Sequence, residues 1–139
     1  MNIKKSLREL NLGCENSVVI GSGILNAYKI RQSNDIDIVV PYKEYSRLAS
    51  NKKFIEKNKH GSRILTFDIF EVGTYWEVLG KKQTFNDLCA RSLIIDSVRY
   101  ISLDFLLAVK KSWQNKNDAR QKDIDDIALI EEYMRENLI

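Results

Sequence analysis

The alternation of apolar and polar residues along this chain predicts two strands that bracket a short helix. An apolar run predicts a buried strand at residues 17–21, and residues 36–40 predict a second strand with apolar side chains at every other position. Residues 23–31 have the apolar spacing of a helix. Because the apolar face of the second strand must be buried, alternation turns Asp35 and Asp37 together to the opposite face.

The rest of the chain alternates in the same way between predicted helices and strands. Helices are predicted at residues 2–11, 42–50, 85–91 and 103–113, strands at 53–59, 63–72, 92–95 and 98–101, and a loop at 114–117. Asp118 and Gln121 have the spacing of a capping box for a last helix that runs to about Asn137. The pattern predicts a single domain over residues 1–139, of α/β (α+β) class, with a mixed β-sheet flanked by helices and a C-terminal helical cap.

The turn and the acidic pair around the first two strands together indicate phosphate chemistry. Gly21 and Ser22 form a turn that a phosphate can approach closely, because glycine has no Cβ. Asp35 and Asp37, with Cα atoms about 7 Å apart on an extended strand, can converge on divalent cations. Such a turn alone is usually a tight connection, and such a pair alone is usually a solvated strand edge. Their combination between two apolar strands favours a functional site.

A third carboxylate, Asp68, lies inside the long apolar strand predicted at residues 63–72. An unpaired carboxylate there would cost several kcal/mol, so we expect it to have a partner, an ion or a shifted pKa. One alternative is that Asp68 pairs with Arg63 or Lys110. Glu71, near the end of the strand, is the other candidate for a third ligand, but its parity matches that of Leu65, Phe67 and Ile69, which favours Asp68.

Two motifs in the first third of the chain resemble a known superfamily. The Gly21-Ser22 turn, the helix and the Asp35-x-Asp37 strand resemble the core motif of polymerase-β-like nucleotidyltransferases. The run from Arg31 to Asp37 is similar to the Arg-x-Ser-x-Asp-Ile-Asp of AbiEii-type nucleotidyltransferases. The resemblance implies a nucleotidyltransferase fold.

A second group of motifs near the C-terminus resembles the same proteins. Lys110 and the run at residues 120–127 are similar to the Lys … Arg-x-Lys-Asp-x-x-Asp helix of the AbiEii-type group and of small antibiotic nucleotidyltransferases. The resemblance implies that Lys110 and Lys122 contact nucleotide phosphates, and that Gly21 and Ser22 hold the β- and γ-phosphates.

The same resemblance implies an enzyme that moves a nucleoside monophosphate from a nucleoside triphosphate to an acceptor hydroxyl and releases pyrophosphate. The expected co-substrate is ATP with Mg²⁺ or Mn²⁺. Asp35 and Asp37 would hold the metal, and Asp68 would complete a second metal site and help to deprotonate the acceptor. The acceptor is a small molecule, a protein side chain or an RNA end. One domain of this size offers few walls for an acceptor pocket, so we expect a second copy or a partner protein to close the site.

Two other classes of function stay open at this point. The first is a non-catalytic or regulatory protein of the same fold that acts through a protein partner, such as a toxin–antitoxin component. The second is an RNA-binding module, which is disfavoured by a net charge of only +3, from 22 basic and 19 acidic residues. The N-terminus lacks the apolar run of a signal peptide and no stretch is long enough to cross a membrane, so a cytoplasmic protein without membrane contact is expected.

Overall fold

The computed structural model describes residues 1–114, 116 and 118–137, which form both helices and strands. The helices are α1 (Ile3–Glu9), α2 (Gly23–Ala27), α3 (Tyr42–Ala49), α4 (Phe85–Cys89), α5 (Leu103–Gln114) and α6 (Gln121–Glu136). The strands are β1 (Val18–Ile20), β2 (Ile36–Val39), β3 (Ile55–Lys59), β4 (Ser62–Phe67), β5 (Phe70–Gly73), β6 (Tyr75–Val78), β7 (Lys81–Thr84), β8 (Ser92–Ile95) and β9 (Val98–Ile101).

Seven of these strands form one mixed sheet in the order β3-β4-β5-β2-β1-β9-β8. The central pair, β1 and β2, is antiparallel, whereas β9 runs parallel to β1 and β5 runs parallel to β2. β6 and β7 form a separate hairpin that the sequence pattern did not indicate. The predicted mixed sheet flanked by helices is confirmed.

Burial of one face of β2 fixes the register of the central strands, as the alternation predicted. Ile36 and Ile38 are fully buried, in one apolar cluster with side chains from all six helices, of which α1 and α2 contribute Ile3 and Ile24. Asp37 therefore points to the other face of the sheet, where it pairs in register with Glu71 of β5. The sheet thus brings two carboxylates from different strands side by side.

The strand predicted at residues 63–72 is interrupted by a turn, so the prediction that Asp68 lies inside a central strand is wrong. Phe67 of β4 pairs with Phe70 of β5, and the two-residue connection between them is Asp68-Ile69. Asp68 has a φ of +53° and is exposed. Aspartate tolerates this left-handed conformation better than most residues do. The turn reverses the chain, so parity within a continuous strand does not apply to Glu71.

The start of the last helix also differs from the prediction. α6 begins at Gln121 with Arg120 as its N-cap, so the capping box expected from Asp118 does not form. Of the loop predicted at residues 114–117, Gln114 belongs to α5, while Asn115 and Asn117 lie outside the described residues. Within the described ranges, no helix combines the length and the apolar character needed to cross a membrane.

Gly23 at the start of α2 gives a test of how tightly the helix packs on the central strand. A Cβ at Gly23 would overlap Cγ1 of Val19, a fully buried β-branched residue of β1. We expect Gly23→Ala to lower the free energy of unfolding by about 1–3 kcal/mol, the usual cost of overpacking. Gly13→Ala is the matched control, because a Cβ at Gly13 meets nothing within 4 Å. Equal urea midpoints for the two variants would contradict the close packing of α2 on β1.

Candidate functional site

Three acidic side chains around β2 and β5 form what we call the carboxylate site: Asp35, Asp37 and Glu71. Asp35 lies one residue before β2 and is exposed, while Asp37 and Glu71 are register partners on parallel strands. Gly21, which follows β1, lies directly beside Asp37. A Cβ at Gly21 would stand 3.3 Å from Oδ2 of Asp37, and the residue has a φ of +65°. Glycine therefore leaves the carboxylate open on the side of the turn.

The charge on Asp37 is destabilised by its surroundings. Burial, the charge of Glu71 and, to a smaller extent, the charge of Asp35 raise the pKa of Asp37 from 3.8 to about 6. The charges of Lys59 and Lys122 act in the opposite direction but do not cancel the shift. The carboxylate site thus has an excess of negative charge that a further cation would relieve.

Lys59 partly compensates this charge from the end of β3. Its Nζ contacts both carboxylate oxygens of Glu71, at 2.9 and 3.2 Å. The Lys59 side chain is 53% exposed and that of Glu71 is 30% exposed. An ion pair with this exposure is weak and exchanges readily with other cations or anions.

The donor set of the site fits a hard divalent cation. Carboxylate oxygens are the ligands that Mg²⁺ and Mn²⁺ prefer, and burial together with the charge of Glu71 raises the pKa of Asp37 despite the charges of Lys59 and Lys122. In the described part of the chain, no three His, Cys, Asp or Glu side chains are already arranged around a common point for an ion. Glu71 instead points to Lys59. Asp37 and its acidic neighbours therefore supply ligands of the right type, with Glu71 held by a lysine.

The Ser22 side chain is fixed by a residue from the following loop. Arg31 Nη2 donates a hydrogen bond to the Ser22 hydroxyl oxygen at 2.8 Å. Arg31 Nε and Nη2 also donate to the two carboxylate oxygens of Asp126, on α6, at 2.7 and 2.8 Å. The turn after β1 is thereby tied to the last helix.

Asp126 belongs to an internal ion-pair network that joins α5 to α6. The network consists of Arg31, Lys110, Arg120, Asp123 and Asp126. Lys110 is 3% exposed and contacts Asp123 at 2.7 Å and Asp126 at 3.0 Å. Burial alone would raise the pKa of both aspartates, but hydrogen bonds from the surrounding Lys110, Arg31 and Arg120 outweigh it and hold both below the ordinary value.

The two lysines that the sequence assigned to phosphate binding have different environments in the structure. Lys122 is exposed on the first turn of α6, and its charge reaches Asp37, where it lowers the pKa. Lys110 is buried between two aspartates, so its charge is already engaged inside the protein. The placement of Lys122 agrees with contact to a ligand at the carboxylate site, whereas that of Lys110 does not.

The three predicted carboxylates also do not share one environment. The charge of Asp35 acts on Asp37, whereas Asp68 is exposed on the β4–β5 turn and is not among the charges that shift the pKa of Asp37. Glu71 takes the position in register with Asp37. The available signal was the predicted length of ten residues for strand 63–72, since strands usually have five or six residues.

The sequence pattern also did not indicate the contacts that Lys59, Arg31 and Asp126 make. Lys59 belongs to a cluster of lysines that has the pattern of a solvated face. Asp126 has the i,i+4 spacing for a surface pair with Lys122, but it is 1% exposed and pairs with Arg31 and Lys110. Its position one turn after Asp123 and beside apolar Ile127 was the signal that this face of the helix is buried.

Two hollows of the described surface lie away from the carboxylate site. Their volumes are about 110 and 480 Å³, and both are lined by Arg8, Leu12, Gly13 and Ser97. Neither includes a residue of the carboxylate site.

The predicted fold class is confirmed by likeness to a solved structure. The crystal structure of the Megavirus polyadenylate synthase superimposes on 92% of this chain with a TM-score of 0.59 and 14% sequence identity. The chain spans only 29% of the length of that protein. No protein-family profile and no curated protein sequence matches the chain.

The raised pKa of Asp37 makes the stability of the protein depend on pH in a defined direction. Because this pKa, about 6, exceeds the ordinary 3.8, protonated Asp37 favours the folded state. That contribution is complete below about pH 4 and is lost as the pH rises through about 6. In metal-free buffer, Asp37→Asn should therefore gain stability relative to wild type as the pH rises, by up to about 3 kcal/mol near pH 7.5.

Urea unfolding from about pH 4 to about pH 8 in the presence of a chelator measures this difference. Asp68→Asn is the matched control, because it removes an exposed carboxylate on a turn whose backbone conformation asparagine also tolerates. Its stability should follow that of wild type. A constant difference between Asp37→Asn and wild type across the range would contradict the assigned environment of Asp37.

Proposed function

We propose that this protein transfers a nucleoside monophosphate from a nucleoside triphosphate, ATP being the first to test, to an acceptor hydroxyl, with Mg²⁺ or Mn²⁺ as cofactor. The observation that supports it most directly is the row formed by Gly21, Asp37 and Glu71, in which an open glycine turn lies beside two paired carboxylates of different strands. The nucleotidyltransferase fold agrees with this chemistry.

Asp35 and Asp37 would hold the divalent cation, with Glu71 in the role that the sequence assigned to Asp68. When bound, the cation would neutralise phosphate charge and favour the ionised form of the acceptor hydroxyl. Glu71, once released from Lys59, would accept the hydroxyl proton. The acceptor oxygen then bonds to the α-phosphorus, the bond from that phosphorus to the bridging oxygen breaks, and pyrophosphate leaves.

The phosphates would be held by the turn after β1 and by the first turn of α6. Gly21 lets a phosphate oxygen approach the backbone, and the Ser22 hydroxyl can donate to it. Lys122 would neutralise charge on the β- and γ-phosphates, since its charge already acts on Asp37. Catalysis on this scheme consists of positioning and charge compensation, without a covalent enzyme intermediate.

Contact between the two motif regions supports a place near the AbiEii-type and small antibiotic nucleotidyltransferases. Arg31 belongs to the first run that resembles those proteins, and Asp126 belongs to the second. These two residues form a bidentate ion pair although 95 positions separate them in the chain. Motifs that meet in space support the resemblance more strongly than their spacing alone does. The alternative to this enzyme is a non-catalytic or regulatory protein of the same fold that acts through a protein partner, such as a toxin–antitoxin component. Closure of the site by a second copy or a partner protein is part of the enzyme proposal.

The metal and nucleotide scheme is tested by calorimetric titration with a non-hydrolysable ATP analogue in the presence and absence of Mg²⁺. We expect Asp37→Asn to abolish the Mg²⁺-dependent part of binding, because it removes a ligand charge without changing shape. Glu71→Gln should weaken that part about 10- to 100-fold, the typical effect of losing a group that supports the direct ligands of a metal.

Asp68→Asn is the control in the same titration and should bind as wild type does. A reversed order, with Asp68→Asn impaired and Glu71→Gln unaffected, would restore Asp68 as the third ligand. The transfer itself is followed with α-labelled triphosphates in a cell lysate, where the labelled molecule identifies the acceptor.

A specific feature of the surface favours an RNA end among the candidate acceptors. The segment 52–63 contains five basic residues and one acidic residue, whereas the rest of the chain has 17 basic and 18 acidic residues. Register places Ile55 of β3 in one row with Thr66, Glu71 and Asp37 on the same face of the sheet. Lys57 and Lys59 share that face with Ile55 by alternation. The positive charge of the protein is thus concentrated beside the carboxylate site, and a polyadenylate synthase shares the fold.

The RNA hypothesis predicts salt-sensitive binding through segment 52–63. Replacing Lys52, Lys53 and Lys57 together by Gln should reduce the affinity for a labelled single-stranded oligoribonucleotide at least about 10-fold. It should also make the slope of log affinity against log salt shallower by about 2. Fluorescence anisotropy over a series of NaCl concentrations measures both quantities.

The matched control replaces Lys5, Lys29 and Lys43, three exposed lysines from other parts of the chain, by Gln. This variant has the same net charge as the first. Equal affinities of the two triple variants, or no RNA binding by wild type, would exclude RNA as the acceptor while leaving nucleotide transfer to other hydroxyls open to the labelling experiment.

A further inference from the structure

The hydrogen bond between Arg31 and Ser22 determines which way the Ser22 hydroxyl can act. Arg31 Nη2 donates to the hydroxyl oxygen at 2.8 Å, so one lone pair of Ser22 is occupied. Ser22 precedes α2 but its side chain makes no capping hydrogen bond to that helix. Within the described residues the hydroxyl proton is therefore not committed to a protein acceptor, and it can point to a ligand oxygen.

Arg31 itself has little freedom to reach a ligand. Besides the bond to Ser22, its guanidinium donates to both carboxylate oxygens of Asp126 and to the backbone oxygen of Gln32. Four hydrogen bonds thus engage four of the five N–H groups of an arginine. Asp126 is 1% exposed and is also held by Lys110, so the guanidinium rests on a fixed anion.

We propose that Arg31 is a positioning residue for the nucleotide: it presents the Ser22 hydroxyl as a donor to a phosphate oxygen and ties this donor to the helix that bears Lys122. The inference rests on the proposed function, because it concerns how that nucleotide is held. Arg31 acts through Ser22 and does not touch the phosphates. The contact to Asp126 fixes Arg31 against α6, which places Ser22 and Lys122 on a common frame.

The geometry of the guanidinium is necessary for this role. A planar fork can donate to Asp126 on one edge and to Ser22 from the same terminal nitrogen. The single ammonium group of a lysine carries the same charge but lacks the fixed fork. Arg31→Lys is therefore expected to keep a counter-ion for Asp126 while it loses the orientation of Ser22.

A double-mutant cycle in full-length protein tests the proposal, with the affinity for a non-hydrolysable ATP analogue and Mg²⁺ as the readout. Ser22→Ala should weaken binding about 10-fold or more, the effect of losing a hydrogen bond to a charged group. Arg31→Gln should weaken binding by a similar factor when Ser22 is present. In the Ser22→Ala background, the same Arg31 substitution should change the affinity less than about 3-fold.

Arg120→Gln is the matched control, because it removes one positive charge from the same network at a residue that contacts Asp123 and not Ser22. Its affinity should stay within about 2-fold of wild type in both backgrounds. Arg31→Lys is measured in parallel. A melting temperature near that of wild type together with loss of the coupling to Ser22 would separate positioning from a general loss of folding.

Independent effects of Arg31 and Ser22, so that the two factors multiply in the double variant, would overturn the proposal. So would an Arg120→Gln variant that loses as much affinity as Arg31→Gln. In both cases wild type still binds the Mg²⁺–nucleotide, and the proposed function stands. Failure of wild type to bind any triphosphate would overturn the proposed function and this inference together.

Discussion

The structure depends on the burial of Lys110 between Asp123 and Asp126. A buried ammonium group is tolerated only when its charge and its hydrogen bonds are satisfied, and removal of one partner from such a pair typically costs about 3–5 kcal/mol. Here the satisfied pair fastens α5 to α6, and Asp126 extends the contact through Arg31 to the turn after β1. These contacts therefore connect the C-terminal helices to the Gly21-Ser22 turn.

The two groups of acidic side chains have opposite energetic characters. In the internal ion-pair network, hydrogen bonds from Lys110, Arg31 and Arg120 hold the pKa of both aspartates below the ordinary value despite their burial. In the carboxylate site, burial and the charge of Glu71 raise the pKa of Asp37 to about 6, and the charges of Lys59 and Lys122 offset this shift only in part. The first group stabilises the fold, whereas the second stores unfavourable charge that a cationic ligand would release. The protein thus concentrates its electrostatic cost where we propose that it binds a metal.

The sequence was sufficient for features that depend on neighbours along the chain. Alternation and burial placed β1, β2, Gly21 and Asp37 correctly, because the register of a half-buried strand is set by its own side chains. The prediction that Asp68 lies inside a strand failed because a turn without glycine or proline separates β4 from β5, and every parity argument beyond a turn depends on where that turn lies. Lys110 and Asp126 were misjudged for another reason. Their partners come from helix packing and from a residue 95 positions away, and no local pattern contains that information.

Contacts between early and late parts of the chain have a consequence for biosynthesis. Val19 of the central strand β1 pairs with Tyr100 of β9, and Arg31 forms an ion pair with Asp126. These contacts join residues that are far apart in the sequence. Contacts of such long range form late, because the entropy of closing the intervening loop must be overcome first. While the ribosome is still translating the residues of α6, the nascent chain already carries Asp35, Asp37 and Glu71. It still lacks Asp126, which holds Arg31 beside the Gly21-Ser22 turn. On this view the proposed nucleotide site matures only as α6 docks, and a chain that still lacks α6 has the proposed metal ligands without the means to position a substrate.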